Sequence, residues 1–493
     1  MIAVADAPRA AAAPLAQRLA QLGVPLADLT TDSRAVKHGA VFLAYPGSAR
    51  DGRAFIADAI ARGAAAVIWE RRGFEWSPSW DVPNLAIEGL RGCASEIAGL
   101  VHGDPSARLW VVGVTGTNGK TSVAQWVGQA LDGLGRRAAV LGTLGNGLVG
   151  ERAEARNTTP DAVVLQRELA DYLRRGAKVA AMEVSSHGLD QERTAAVKFD
   201  VAVFTNLTRD HLDYHGTMEA YAEAKYRLFS ARGVGRAVIN VDDDWGRRFA
   251  DRLRGSPVDV IGYGRGGGRL RAAAFSQSAA GLRIAIEGDW GAGEVAVPVL
   301  GAFNVSNLLA VAGTLLASGV PFDAALDALS RLAPVPGRLE RLGGGDAPLV
   351  VIDYAHTPDA LEKALDAVRP VVAPGGRLLC VFGCGGDRDP GKRPIMGEAA
   401  ARLADHAIVT SDNPRGEDPA AIIAEVLSGV LSGSVESVED RQVAIFSAVH
   451  QARPGDVVLV AGKGHETYQE IAGVRHPFRD AEVAAAALEA RPR

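Results

Sequence analysis

The stretch VVGVTGTNGKTS sets Gly116, Thr117, Asn118, Gly119, Lys120, Thr121 and Ser122 between a β-branched run and the apolar segment VAQWVGQAL. Glycines there let main-chain N–H groups converge on a phosphate, a helix N-terminus adds positive potential, a lysine reaches the outer phosphates, and a hydroxyl can hold magnesium. The spacing is not that of the general phosphate loop, because Val114 stands five residues before Gly119. An ordinary glycine turn after a strand is the plain alternative; strand, loop, lysine, hydroxyl and helix together argue against it.

Other side chains could act near such a loop. Glu183 ends the run KVAAMEV, where a buried carboxylate is costly unless paired or bound to metal. His211, in TRDHLDYH after the next run, can reach the same sheet edge. Taken singly, Glu183 reads as a satisfied strand-end carboxylate, His211 as a loop or capping histidine, and Lys225 of MEAYAEAKYRLF as a solvated helix lysine. Asn304 and Asn307 of NVSN carry amides whose donors and acceptors suit an adenine edge, although Asn304 could equally cap a helix. Arg415 follows HAIVTS and is held between Pro414 and Gly416, a stiff setting for a guanidinium; surface pairing of Arg388 or Arg415 with Asp387, Asp389 or Glu417 is the ordinary alternative. Of 53 cationic residues only eight are lysines, so Lys120, Lys392 and Lys463, all in glycine-rich motifs, mark places where arginine does not substitute.

The elements that position these groups form an α/β series. Residues 1–103 alternate AVFLAYPG, AAAVIWE and NLAIEG with helical segments and read as a small α/β domain. Residues 104–334 carry RLWVVGV, RAAVLGT, KVAAMEVSS, FDVAVFTNL and GRAVINV, runs of the kind buried on both faces of a parallel sheet, with an antiparallel flap over 269–298. Pro334, Pro336 and Gly337 mark a boundary, after which residues 335–493 repeat the pattern with LVVIDYAH, RLLCVFGCGG, HAIVTSDNP and DVVLVAGKG. The expected fold is α/β in three domains: the small N-terminal one, a central parallel-sheet ATPase domain with the phosphate loop, and a C-terminal Rossmann-like one. The 493 residues suit about three domains. A net charge of −5 removes the basic footprint of sequence-independent nucleic-acid binding. Three cysteines form no even disulfide set and no paired CxxC, and no run reaches the length of a membrane span. A cytoplasmic protein, monomeric, with no nucleic-acid or membrane partner is the expectation.

The form GTNGKTS is narrower than a general phosphate loop. With NTTP, EVSSHGL, TNLTRDHLDYHG, AYAEAK, GAFNVSN, PGRLE, DYAHTPDAL, FGCGGDRDPGKRP, SDNPR and AGKGHE following in order over nearly the whole chain, the sequence resembles the Mur ligases and the related folylpolyglutamate synthetase. Those enzymes join an amine to a carboxylate using ATP. The resemblance implies ATP and Mg2+ as cofactors, with Lys120, Glu183, His211 and Lys225 catalytic. It makes Thr121, Glu183, His211 and Lys225 the magnesium ligands, the last as a carbamate (N6-carboxylysine). ATP would be held by Gly116 to Ser122 together with Asn304, Asn307, Arg338 and Asp353, the last two approaching once the C-terminal domain closes about a hinge near residue 335.

By the same resemblance, Ser33, Ser48, Ala49 and Arg50 take the uridine diphosphate, and Asn157, Thr158, Thr159, Ser185, Gln191 and Arg193 hold the muramoyl-peptide arm; residues 48–50 depart from the commonest ones. TTDSR and DGRAFI point to ligases adding the third residue or the terminal dipeptide. The tetrad Asp412, Asn413, Pro414, Arg415 implies meso-diaminopimelate as the amine, with Arg388, Gly462 and Glu466 completing that site. An arginine fork fits the carboxylate that lysine lacks, and leaving it unpaired costs roughly 2–4 kcal/mol, about 10²–10³ in selectivity. The implied reaction adds meso-diaminopimelate to UDP-N-acetylmuramoyl-L-alanyl-D-glutamate in peptidoglycan precursor synthesis. A lysine-adding ligase, folylpolyglutamate synthetase (disfavoured by the N-terminal domain) and a non-catalytic nucleotide switch are the alternatives.

Overall fold

A computed structural model describes residues 12–491 apart from positions 27, 48, 49 and 156. The chain divides into two compact units between Gly262 and Tyr263. In the first unit, strands Leu29–Thr30, Val41–Ala44, Ala66–Glu70 and Asn84–Ile87 form a parallel sheet in that order. Side chains alternate across a strand, so Val41, Leu43 and Ile68 join Leu90, Ala94 and Ile97 in one core. Phe42, Ala44 and Val67 meet Ile56 and Ala59 on the other face.

The same unit holds a larger sheet centred on Trp110–Thr115, which is paired in parallel with Val201–Phe204 on one side and Val179–Glu183 on the other. Ala138–Gly142 extends the second side and Arg236–Asn240 the first. The chain thus builds first to one side and then to the other, and the crevice at the carboxyl ends of the central strands is where such sheets bind ligands. Helix Lys120–Gly133 starts there and buries Val123, Trp126, Val127 and Leu131. An antiparallel extension, Gly145–Leu148 and Glu151–Ala153, lengthens the sheet edge; its glycine-rich strand gave no alternating signal in the sequence.

The second unit opens with the expected flap, strands Leu270–Ser278, Gly281–Gly288 and Gly291–Val297, against which helices Phe303–Ala317 and Phe322–Ser330 pack. A six-stranded sheet follows in the order Glu340–Gly343, Leu349–Asp353, Val457–Ala461, Leu378–Phe382, His406–Val409, Val435–Ser437, parallel but for the first strand. Alternation again divides it: Leu378, Cys380 and Phe382 enter one core, Leu379 and Val381 the other. A short hairpin, Tyr468–Ile471 with Val474–Pro477, follows AGKGHE and was not read from the sequence.

One buried ion pair locks this sheet. Arg441 and Asp480 are both fully buried and joined by two bonds of 2.7 and 2.8 Å, while Arg441 also donates to the Ala461 carbonyl at 3.0 Å. Removing one partner strands the other's charge, which costs about 3–5 kcal/mol. Asp480→Ala should lower the unfolding free energy by about that amount in urea titration; a loss under about 1 kcal/mol contradicts the assignment.

Candidate active site

Gly116, at φ 149°, leaves the central strand beside Thr205 and Asn206, where any Cβ would overlap the Thr205 hydroxyl. The loop is strapped to the segment that follows the neighbouring strand Val201–Phe204. Thr117 N donates to the Asn206 carbonyl at 2.8 Å, Asn118 N to the Asn206 side chain at 3.0 Å, and Thr205 Oγ1 to the Asn118 carbonyl at 2.6 Å. Gly119 precedes the helix at φ 84°, and Thr121 and Ser122 are buried in its first turn. Lys120 Nζ folds back to the carbonyls of Gly116 and Thr117 at 2.9 and 2.8 Å. Asn206 was missed in the sequence because its role is a pairing between two loops distant along the chain.

Glu183 is 1% exposed, and its charge is met by three donors. Thr121 Oγ1 donates at 2.9 Å, Thr143 N at 2.8 Å and Thr143 Oγ1 at 3.3 Å. Thr143 Oγ1 also meets Thr158 Oγ1 at 3.1 Å, and Thr159 Oγ1 donates to the Glu183 carbonyl at 2.9 Å. Ser185 N donates to Thr159 Oγ1 at 3.0 Å, while Arg193 donates to the Thr159 carbonyl at 2.7 Å and to Gln191 at 2.7 Å. Of the residues expected around the peptide arm, Thr158, Thr159, Ser185, Gln191 and Arg193 therefore form one network running from the phosphate-loop helix, while Asn157 lines the neighbouring cavity. Thr143 is the member that sequence reasoning lacked, since nothing in LGTLGN singles it out.

Lys225 is not the solvated lysine that its helix periodicity allows. It is 1% exposed, lies 4.5 Å from the Tyr221 ring centroid and donates to the Gly116 carbonyl at 2.7 Å, the carbonyl that Lys120 also uses. Burial above all, and then the Lys120 charge, push its ammonium well below the ordinary lysine range, with Asp210 opposing. His211 sits at φ 51°, half exposed, 3.5 Å from Asp210 and within a ring cluster with His187 at 4.9 Å and Tyr221 at 6.0 Å. The structure thus joins Thr121 to Glu183, and Lys120 to Lys225, while among the described residues no three His, Cys, Asp or Glu side chains converge on a metal position. The donor chemistry still suits magnesium: Thr121 and Glu183 offer hard oxygens, and Lys225 would add more as a carbamate but none as an amine.

A cavity of about 600 Å³ opens in the first unit and is lined by Ser33, Arg50, Asn157, Gln191 and Arg193 among others. Ser33 is buried behind the Asp32 cap. Ser48 and Ala49 lie outside the described residues.

In the second unit, Asn304 does not cap its helix: Ala302 is the capping residue, and Asn304 Nδ2 donates to the Leu300 carbonyl at 2.6 Å. Its Oδ1 accepts from Asn307 Nδ2 at 2.8 Å, so both buried amides are oriented. Asp353 accepts from Leu339 N and Ala355 N, each at 2.9 Å, and burial raises its carboxyl pKa against the pull of Arg338. The Arg338 guanidinium lies 5.3 Å from the Tyr354 ring centroid, and its Nε is buried without a hydrogen-bond partner.

The SDNPR loop closes on AGKGHE. Asn413 Nδ2 donates to Glu466 at 2.7 Å, and Asn413 Oδ1 accepts from Lys463 at 3.0 Å and Glu470 N at 2.9 Å. The Asp412 carbonyl accepts from Gln469 at 2.8 Å, its carboxylate abuts Gly462, and Pro414 is buried. Arg415 takes φ 52°, a left-handed conformation uncommon outside glycine. Its main chain bonds Glu470 and Ala472, and its Nη1 donates to the Gly386 carbonyl at 2.7 Å. The surface pairing open to Arg415 is not made: Glu417 is held by the buried Arg393 at 2.9 Å, Asp387 accepts from Gly416 N at 3.1 Å and Asp389 from Gly391 N at 2.9 Å. Arg388 likewise bonds the Asp387 main chain, at 3.1 Å, rather than a carboxylate.

Three family models match: the Mur ligase family catalytic domain over residues 26–100, the Mur ligase middle domain over 114–315, and the Mur ligase glutamate ligase domain over 337–464. The chain is 53% identical over 473 residues to the UDP-N-acetylmuramoyl-L-alanyl-D-glutamate--2,6-diaminopimelate ligase of Chromobacterium violaceum, covering 96% of each. Its fold superposes on a solved structure of a ligase of that name with a TM-score of 0.71 at 37% identity, covering 94% of this chain and 95% of the other. It also superposes on MurF ligase from Thermotoga maritima in complex with ADP, with a TM-score of 0.63 at 21% identity, covering 94% and 98%, a likeness of fold alone. On the strength of identity over almost its full length, this chain belongs to the Mur ligase family.

Proposed function

We propose that this chain joins meso-2,6-diaminopimelate to the D-glutamate of UDP-N-acetylmuramoyl-L-alanyl-D-glutamate, forming ADP and phosphate. The observation that carries the reading is 53% identity, over 96% of both chains, to a ligase of that name. The geometry supports it through Arg415, a half-buried guanidinium in a braced loop that meets no side-chain carboxylate among the described residues. We assign three domains, 1–103, 104–334 and 335–493, for the acceptor, the nucleotide and the amino acid, in a cytoplasmic monomer.

A carboxylate is a poor electrophile until its oxygen is made a leaving group. The acceptor γ-carboxylate oxygen attacks the γ-phosphorus of ATP and ADP departs; the amine then attacks the acyl phosphate carbon, loses a proton, and phosphate departs with the former carboxylate oxygen. Lys120, freed from its loop carbonyls, neutralises the outer phosphates, and the main-chain N–H groups of Gly116 to Ser122 cradle them. Asn304 and Asn307 offer amide edges to the adenine, and Arg338 and Asp353 approach phosphate and ribose. Thr121, Glu183, His211 and carbamylated Lys225 would hold magnesium, which when bound offsets phosphate charge. The cavity with Ser33, Arg50, Asn157, Gln191 and Arg193, together with Thr158, Thr159 and Ser185, orients the acceptor; Ser48 and Ala49 belong with it by family likeness. Arg415 and Arg388 receive the distal carboxylate and Glu466 an ammonium, with Asp412, Asn413, Pro414 and Gly462 shaping the pocket.

Phosphate release measured with meso-diaminopimelate, with lysine and without amino acid tests the amine. Only the first should support rapid turnover; faster turnover with lysine contradicts the assignment, and turnover without any amine supports a nucleotide switch. Arg415→Ala should raise the meso-diaminopimelate KM by roughly 10²–10³ and leave the ATP and acceptor KM values within about twofold; an equal loss on all three makes the residue structural. A lysine with a depressed pKa keeps a neutral amine able to capture carbon dioxide. Lys225→Ala should therefore lose activity and Lys225→Glu should retain part of it, whereas full activity in Lys225→Ala removes the carbamate.

A further inference from the structure

Lys463 is one of the eight lysines, stands in the glycine-rich AGKGHE turn, and has no part in the reaction as described so far. It is 0% exposed. An ammonium so enclosed needs an anionic or strongly accepting partner for nearly every N–H it carries. Two are present: Glu466 Oε2 at 3.0 Å and Asn413 Oδ1 at 3.0 Å. Asn413 Nδ2 donates to the same Glu466 oxygen at 2.7 Å, so the three side chains close a ring.

Two chains of hydrogen bonds lead from this ring to Arg415. Asn413 Oδ1 accepts from Glu470 N, whose carbonyl accepts from Arg415 N at 3.0 Å. The Asn413 carbonyl accepts from Gly386 N at 2.9 Å, and the Gly386 carbonyl receives the Arg415 guanidinium. The left-handed backbone at Arg415 is strained for a side-chain-bearing residue and persists only if its surroundings hold it. On the other side of the ring, Glu466 spends one carboxylate oxygen on Lys463 and Asn413, which fixes where the second oxygen points.

We propose that Lys463 is the positioning residue for the amino-acid substrate, its buried ammonium locking Asn413 and Glu466 so that the carboxylate-reading Arg415 and the ammonium-reading Glu466 keep one fixed separation. This rests on the assignment of that pocket to a diamino acid. A compact ammonium suits the ring, since three short donors can serve two acceptors within a closed space that a planar guanidinium fork overfills.

The test is steady-state kinetics of the full chain with meso-diaminopimelate, comparing Lys463→Met with the unaltered protein. The meso-diaminopimelate KM should rise at least tenfold, with kcat at saturation, the ATP KM and the acceptor KM each within about threefold. An unchanged meso-diaminopimelate KM, or a parallel rise in all three KM values, overturns the proposal. If Lys463→Met does not fold, Lys463→Arg carries the test: the same selective rise supports the role, and an unchanged or uniformly altered set refutes it. Failure of the unaltered protein to use meso-diaminopimelate refutes the pocket's assignment itself, and with it this role.

Discussion

A carboxylate closed off from water at the end of a central parallel strand is the constraint around which the first unit is built. Carboxylate oxygens so enclosed need hydrogen-bond donors, and those of Glu183 come from two segments distant in sequence. Thr121 brings the first turn of the phosphate-loop helix, while Thr143 brings the loop that reaches Thr158. The main-chain carbonyl of the same residue takes Thr159, and so the Ser185 and Arg193 segment. The phosphate-loop helix and the segments proposed to hold the acceptor are thus tied to one residue, and on the proposed reading a single buried charge sets their spacing.

The two lysines at the Gly116 carbonyl illustrate a different use of burial. Lys120 bonds two loop carbonyls and keeps part of its surface in solvent, so it can turn to an arriving phosphate. Lys225 is enclosed beside that cation, an arrangement that favours the uncharged amine. In the second unit the logic is inverted: Lys463 stays paired with Glu466 as scaffolding, and Arg415 meets no carboxylate, Glu417 being paired with Arg393 and Asp387 and Asp389 bonded to main-chain N–H groups. Charge left unpaired by design is what a carboxylate-bearing substrate can read.

Much of the fold was legible because parallel strands buried on both faces leave continuous apolar runs. Trp110–Thr115, Val179–Glu183, Val201–Phe204, Leu378–Phe382 and Val457–Ala461 all lie where such runs stand. The flap was legible from alternation between glycine turns, while Gly145–Leu148 was hidden because glycines carry no pattern. In the site, motif residues could be named, but their partners could not. Thr143, Asn206 and the ring through Lys463 arise from pairings between distant segments, and the depth of Lys225 is invisible in a helix whose sequence shows little facial contrast. The capping role open to Asn304 and the ion pairs open to Arg388 and Arg415 turn on contacts of the folded chain that no motif records.

In the proposed reaction a carboxylate oxygen becomes the leaving group through transfer of a phosphoryl group. Acceptor carrying oxygen-18 in the D-glutamate γ-carboxylate, turned over with unlabelled ATP and meso-diaminopimelate, tests this by mass spectrometry of the released phosphate. Each phosphate should contain one oxygen-18 atom; phosphate free of the label contradicts the mechanism.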